Sequence, residues 1–453
     1  MGMQHAGLDM LHGSLWNKII AFTVPLALTA MLQQLYNTAD VTVLGRFEGE
    51  AAMAALGSNI PVVGLVVNLF VGLSIGANVV IARYIGKGDG GSANRTIYTA
   101  LNFALGFGVL IALPGIAFSY KISELLGDPA EVLPLSSAYL SMSWYFAGMP
   151  FISLFNFEAA VFRADGDTAM PMKALVLGSA FNLAADLAAV SVFDLGIGGV
   201  AAATSLSNAL TAGYLFYKLT RARGVLRFDA SKAGTFEWRK AKAIILIGLP
   251  AGIQGMVFSV SNIVIQSAIN SLGSDVMAAS AAAFTVEINV YCVVMAFGMA
   301  VTTFVGQNFG AGNLERCRRA VRDSLWLDAA ATLFLAVVIF FAAPYLMRVF
   351  SDSPRVQELG VLRMYWIQLF YIICVPFEVL SGAMRGYGYS LPPALATMVS
   401  IVGERLVWIF TVFKASPEFE TLLITYPVSW CCAVPLIAWL YVRHLRRLAA
   451  HQM

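Results

Sequence analysis

The sequence predicts an all-α polytopic membrane protein, with twelve transmembrane helices in two six-helix bundles related by a pseudo-two-fold axis along the membrane normal. Three observations carry this reading. Only 12% of the 453 residues are charged, 59% are hydrophobic and the mean hydropathy is +0.75, whereas a soluble domain carries about 25% charge. Apolar runs long enough to cross a ~30 Å hydrocarbon core, roughly 20 residues each, occur twelve times. Two loop motifs then recur at nearly one spacing, halfway along the chain.

The runs lie at approximately 16–41, 53–82, 96–119, 133–160, 171–193, 197–219, 241–271, 276–305, 318–343, 356–383, 392–413 and 420–442. Between them stand turn formers: Gly86-Lys87-Gly88-Asp89, Gly127-Asp128-Pro129, Asp165-Gly166-Asp167 and Gly386-Tyr387-Gly388. The first fifteen residues lack a Lys/Arg n-region, so no removable signal peptide is expected. With the termini and even-numbered connectors on one side, 22 of the 29 Lys and Arg fall there and six on the other, and Arg405 sits inside a run. That bias places both termini in the cytoplasm.

The duplication is read from loops. Ala82-Arg-Tyr-Ile-Gly-Lys-Gly-Asp89 is matched at an offset of 224 by Gly306-Gln-Asn-Phe-Gly-Ala-Gly-Asn313. Arg163-x-x-Gly166-x-Thr168-x-x-Pro171 is matched at an offset of 222 by Arg385-x-x-Gly388-x-Ser390-x-x-Pro393. Six spans per half is an even number, so both halves share one orientation, as in transporters built from parallel repeats. The expected division is an N-lobe of residues 1–222, a cytoplasmic linker of 223–240 and a C-lobe of 241–453.

Several function classes are excluded. The four histidines, His5, His12, His444 and His451, lie in the terminal tails, so no haem held by two histidines and no histidine-rich metal site can form at mid-membrane. Gly86-Lys87 is followed by Gly88, not Ser or Thr, so there is no phosphate-binding loop of the Walker type. The five cysteines, Cys292, Cys317, Cys374, Cys431 and Cys432, all lie in the second half and do not form a disulfide scaffold. Net charge is +3, drawn from the connectors, which gives no nucleic-acid module. An intramembrane enzyme would need a nucleophile–base or metal cluster, and the chain supplies neither.

Ionisable groups inside spans cost at least ~2.5–3.5 kcal/mol each and need a partner or a purpose. The first span carries Gln33, Asn37 and Asp40 on one helical stripe beside Tyr36, the fifth carries Asn182 and Asp186, and the sixth carries Thr204, Asn208 and Thr211. These stripes converge on one polar pocket, or else serve as interhelical hydrogen bonds. The seventh span offers Ser259, Asn262, Gln266 and Asn270, with Gln254 one face earlier. Glu287 and Glu378 stand as isolated acids in the eighth and tenth spans, open equally to lining a cleft and to structural bonding. Glu404 and Arg405 can pair locally or snorkel, and Glu158, near the cytoplasmic end of the fourth run, can face Arg163. Pro25 and Pro250, early in spans one and seven, are candidate bending points.

Burial disfavours the charged form of a carboxylate, and a deprotonated acid attracts a cation where a protonated one does not. Competition at one acid is therefore enough to exchange a proton for a lipophilic cation. One proton moving down ~100 mV and one pH unit releases about 3.7 kcal/mol, enough for roughly a 500-fold gradient of a neutral solute.

The chain resembles the multidrug and toxic compound extrusion (MATE) family over essentially its whole length. The residues that carry the likeness are Leu35-Tyr-Asn-Thr-Ala-Asp40-Val-Thr-Val-Leu-Gly45, Gly86-Lys-Gly-Asp89, Arg163-Ala-Asp-Gly-Asp-Thr168, Asn182-x-x-x-Asp186, Gly198-Gly-Val-Ala-Ala-Ala-Thr204 and Tyr426-Pro-Val-Ser-Trp430. The resemblance implies two bundles around a V-shaped central cleft, and export of lipophilic, often cationic, drugs against inward H⁺ or Na⁺ with no other cofactor. It implies a cation-coupling set of Asp40, Asn182, Asp186 and Thr204, which also supplies oxygen ligands for Na⁺. Substrate-cleft candidates are Gln33, Tyr36, Asn37, Asn208, Gln254, Asn262, Gln266, Glu287 and Glu378. The NorM-like branch carries acids in helices seven and ten, at positions that fall here near Phe258–Ser259 and Cys374, none acidic. The chain is thus more similar to the DinF-like prokaryotic branch, with proton coupling through Asp40. These features lead to the expectation of a monomeric inner-membrane antiporter. The alternative within the superfamily is a lipid-linked oligosaccharide flippase, whose cleft should be rich in Arg and Lys.

Overall fold

The computed structural model describes residues 7–47, 50–125, 134 and 144–450. Among the described residues there are twelve long helices: α1 (Leu15–Phe47), α2 (Glu50–Gly86), α3 (Gly90–Leu125), α4 (Trp144–Asp165), α5 (Ala169–Ser191), α6 (Gly196–Arg221), α7 (Trp238–Ser271), α8 (Ser274–Gly310), α9 (Leu314–Phe350), α10 (Pro354–Gly386), α11 (Leu391–Phe413) and α12 (Phe419–Ala450). Among the described residues there is no strand, as lipid demands of a chain whose backbone must satisfy its own hydrogen bonds. Eleven of the helices are long and apolar enough to cross a membrane. The twelfth, α6, is interrupted by Thr204, Ser205, Ser207, Asn208 and Thr211. Residues 126–133 and 135–143, which contain the expected Gly127-Asp128-Pro129 turn and the start of the fourth run, lie outside the described residues. In α11 two stretches, Met398–Gly403 and Ile409–Phe413, are wound as π-helix on either side of Glu404–Trp408.

The duplication extends to the helix boundaries. Starts at Leu15, Glu50, Gly90, Ala169 and Gly196 recur at Trp238, Ser274, Leu314, Leu391 and Phe419, every pair 222 to 224 residues apart. The repeated loop motifs are helix stops. Gly88, Gly166, Gly312 and Gly388 all take positive φ, between 70° and 97°, a conformation open to glycine at little cost. In each loop the residue after the glycine donates its N–H to a carbonyl five residues back: Asp89 to Tyr84, Asp167 to Phe162, Asn313 to Asn308 and Tyr389 to Met384, at 2.9–3.0 Å. This is the Schellman closure of a helix C-terminus. Asp89 and Asn313 then open the next helix, accepting from the backbone N–H of Ser92 at 2.9 Å and of Arg316 at 3.0 Å. The Ser92 hydrogen bonds hold the exposed Asp89 carboxyl below the usual carboxylate range.

Two compact units form. The first comprises Met1–Leu11 and Leu28–Gly252, the second His12–Ala27 and Ile253–Met453. The division differs from the linker-based boundaries at 222 and 241. The first half of α1 belongs with the second unit, and the first half of α7 with the first. The segment after α6 is pinned rather than loose, because α3 presents a ladder of polar residues one turn apart. Asn94 donates to Val225 and Arg227 carbonyls, Tyr98 accepts from Asp229 N at 2.7 Å, and Asn102 donates to Ala233 and Thr235 carbonyls.

In the first unit, α2 and α7 cross backbone to backbone at paired G-x-x-x-G stretches, Gly72–Gly76 and Gly248–Gly252. A Cβ on Gly72 would land inside the Gly252 backbone, and one on Gly248 would sit 2.6 Å from Leu73 Cα. Close approach of this kind is what small residues allow in lipid. Gly72→Leu is therefore expected to abolish accumulation of folded protein, read by fluorescence-detected size exclusion, whereas Gly64→Leu, with open space around it, leaves the peak intact. One interhelical bond recurs within each unit. In the first, Asn78 of α2 donates to Ala160 O of α4 at 3.3 Å. In the second, Thr302 of α8, 224 residues on, donates to Gly382 O of α10 at 2.9 Å.

Candidate functional site

Helices α1, α5 and α6 of the first unit bring Asp40, Asn182, Asp186 and Thr204 together, each no more than 5% exposed. Helix α6 reaches α5 because Gly178, one turn before Asn182, has no side chain. Ser207 Oγ donates to Gly178 O at 2.7 Å, and a Cβ on Gly178 would collide with Thr211 Oγ1. Thr204 is the hub. Its hydroxyl has one hydrogen and two acceptors, Val200 O at 3.0 Å and Asp40 Oδ2 at 3.4 Å. Asn182 Nδ2 in turn donates to it at 3.5 Å. Asp186, one turn beyond Asn182 on the same face of α5, brings a second buried carboxyl to the pocket, close enough to interact electrostatically with that of Asp40. Oδ1 of Asp40 and both Asp186 oxygens make no hydrogen bond among the described residues. The Tyr36 hydroxyl lies beside Thr204 and Asp40, and Tyr145 of α4 flanks the same carboxyl.

The three sequence stripes thus divide. Asn208 bonds back to Thr204 O at 3.0 Å, and Thr211 packs on Gly178. Gln33 and Asn37 are exposed. The donor set of two carboxylates, one hydroxyl and one amide is hard and oxygen-rich, so it suits a proton when the carboxyls share it and suits Na⁺ when both are ionised. Among the described residues no group of three or more His, Cys, Asp and Glu could hold a metal ion.

The second unit corrects three expectations. Glu287 is not isolated: Arg363 of α10 grips it through two hydrogen bonds of 2.9 Å, with both side chains 3% exposed. Arg363 falls near the head of the tenth run, where the charge count assigns it to the outer connector, but the structure buries it. Glu378 is not isolated either, since Tyr291 donates to it at 2.7 Å and Arg385 lies 3.9 Å away. Glu404 and Arg405 each find a partner on α12, as Thr425 donates to Glu404 at 3.4 Å and Arg405 donates to Ser429 at 3.3 Å. Gln254 is buried, while Asn262 and Gln266 are exposed, with Gln266 bonded to Asn270 at 2.8 Å. In the first unit, Glu158 is fully buried and none of the described ion pairs joins it to Arg163. Asp328, also fully buried, accepts from Thr332 at 3.1 Å. Its position mid-way along α9 is the only sequence signal that marks it.

The MatE family model matches residues 25–188 and again 250–409. The chain belongs to the MatE family. The two matched blocks are the two halves of the duplication. This MatE chain is 26% identical over 436 residues to the probable multidrug resistance protein YoeA of Bacillus subtilis, covering 94% of each. To the probable multidrug resistance protein NorM of Thermotoga maritima it is 27% identical over 400 residues, covering 86% of this chain and 85% of that one. Among solved structures, a MATE crystal structure in complex with MaL6 superposes with a TM-score of 0.90 at 21% identity, covering 99% of this chain and 100% of that one. The protein is a multi-pass membrane transporter and not an enzyme.

Proposed function

We propose that this MatE chain is a secondary antiporter of the bacterial inner membrane. In this reading it exports lipophilic, often cationic, small molecules in exchange for protons, with both termini in the cytoplasm. The single observation that carries the coupling is the Asp40–Asp186 pair, two buried carboxyls in one pocket with no cationic side chain among the described residues paired to either, and with Oδ1 of Asp40 and both Asp186 oxygens making no hydrogen bond. Two like charges in one pocket away from water do not both persist, so the pair holds one proton between them. Loss of that proton leaves a net negative pocket that draws a cation. Its return from the outer side neutralises the pocket and releases the cargo. Thr204 serves both states, donating to Asp40 Oδ2 when the carboxylate is bare and to Val200 O when it is not. The other class of reading, a flippase for phosphate-bearing lipids, gains little from the buried arginines, because Arg363 is paired with Glu287, Arg385 lies 3.9 Å from Glu378, and Arg405 donates to Ser429.

The test is dye efflux from proteoliposomes under an imposed gradient of one ion at a time. A pH gradient, acidic outside, is expected to drive ethidium export, and a sodium gradient at equal pH to drive none. Export under sodium alone would assign the same pocket to Na⁺.

A further inference from the structure

We propose that a groove between α9 and α10, on the lipid-facing side of the second unit, is a binding site for an uncharged aromatic amphiphile dissolved in the bilayer. This inference goes beyond the antiport reading and does not involve the Asp40 pair. The groove has a volume of about 280 Å³, just below the span usual for small-molecule pockets, which suits one ring with a short substituent. Its walls are apolar and open: Leu333 is 58% exposed and Leu369 68%. Only 17% of the most apolar stretch of α9 is buried, so lipid is the solvent there. At one end Phe340 and Tyr365 stack at 4.5 Å with 25° between their planes, a flat platform for another ring.

Gln368 supplies the reason for a ligand. It lines the groove, is 3% exposed, and neither its amide nitrogen nor its amide oxygen has a hydrogen-bond partner. An unpaired carboxamide in hydrocarbon is costly, and acyl chains offer it nothing. Thr332, another wall residue with a polar group, has its hydroxyl hydrogen committed to Asp328. Gln368 lies near the middle of α10, one of the helices that cross the bilayer. Phospholipid ester groups stay at the rim of the ~30 Å core. The occupant must therefore bring its own polar group to that depth. A carboxamide presents one donor face and one acceptor face, which a neighbouring N–H and C=O, as in an anilide or lactam, satisfy together.

The experiment uses the full-length protein in nanodiscs and 4-acetamidobenzophenone, a photoreactive anilide, with crosslinks mapped by peptide mass spectrometry. Saturable labelling of α9 and α10 peptides is expected. It should fall about tenfold in Gln368→Leu, which removes the paired hydrogen bonds, and vanish in Ala336→Phe, which fills the groove. Gln368→Leu should also melt at or above the parent temperature, because no internal hydrogen bond is lost. Non-saturable labelling spread over other lipid-facing helices would show partition into lipid only and would overturn the proposal. So would equal saturable labelling in Gln368→Leu, or a lowered melting temperature of that variant, which would reveal a structural partner for the amide.

Discussion

Asp40→Asn is expected to reduce proton-driven dye efflux to the level of protein-free liposomes while leaving expression and melting temperature at or above those of the parent. The asymmetry follows from the pocket. Asparagine keeps the shape of the side chain and supplies N–H donors to a carboxyl that lacks one, so the fold loses no hydrogen bond. What it removes is the only change of charge that distinguishes the loaded from the unloaded state. Proteoliposome efflux under a pH gradient, with a thermal melt of the same preparation, reads both halves of the expectation. Retained efflux, or loss of efflux only through loss of fold, would separate Asp40 from coupling. Asp186→Asn should behave similarly for the same reason, since either carboxyl alone leaves the shared proton without a second acceptor.

The second large effect lies in the other unit. The Glu287–Arg363 pair is bidentate and shut off from solvent, so removing one member strands the other. Glu287→Ala or Arg363→Ala alone is expected to cost about 3–5 kcal/mol, whereas Glu287→Leu with Arg363→Met recovers most of that loss, because a buried ion pair and a well-packed apolar pair of similar volume are nearly equal in stability. Thermal unfolding in detergent of the two single variants and the double variant measures this. Purely additive losses would show that the two side chains do not act as a pair. Proton-driven efflux by the double variant should survive, since neither residue belongs to the Asp40 pocket.

Much of the fold and of the pocket is legible in the amino-acid sequence. The polar stripes of α1, α5 and α6 stand out because carboxylates and amides are rare and expensive in apolar runs, and Asp40, Asn182, Asp186 and Thr204 do meet in one pocket. The loop repeats disclose the duplication because helix stops reuse the same glycine chemistry at Gly88 and Gly312, and at Gly166 and Gly388. Pairings across long separations are not legible in this way. Nothing in the spacing around Glu287 points to Arg363, 76 residues on. The charge count misassigns Arg363 because it lies only nine residues into α10, where a snorkelling side chain and a buried one look alike. The paired G-x-x-x-G stretches of α2 and α7 are visible as patterns, but glycine is common in membrane helices, and only their mutual crossing gives them meaning. Tyr145 carries no signal at all, since only the packing of α4 against its neighbours brings it beside Asp40.

Proton release on ligand binding tests the central claim most directly. When tetraphenylphosphonium binds to the purified protein in weakly buffered detergent solution, the parent should release one proton per cation bound and Asp40→Asn none. Binding with no proton released, or equal release from both proteins, would contradict the claim.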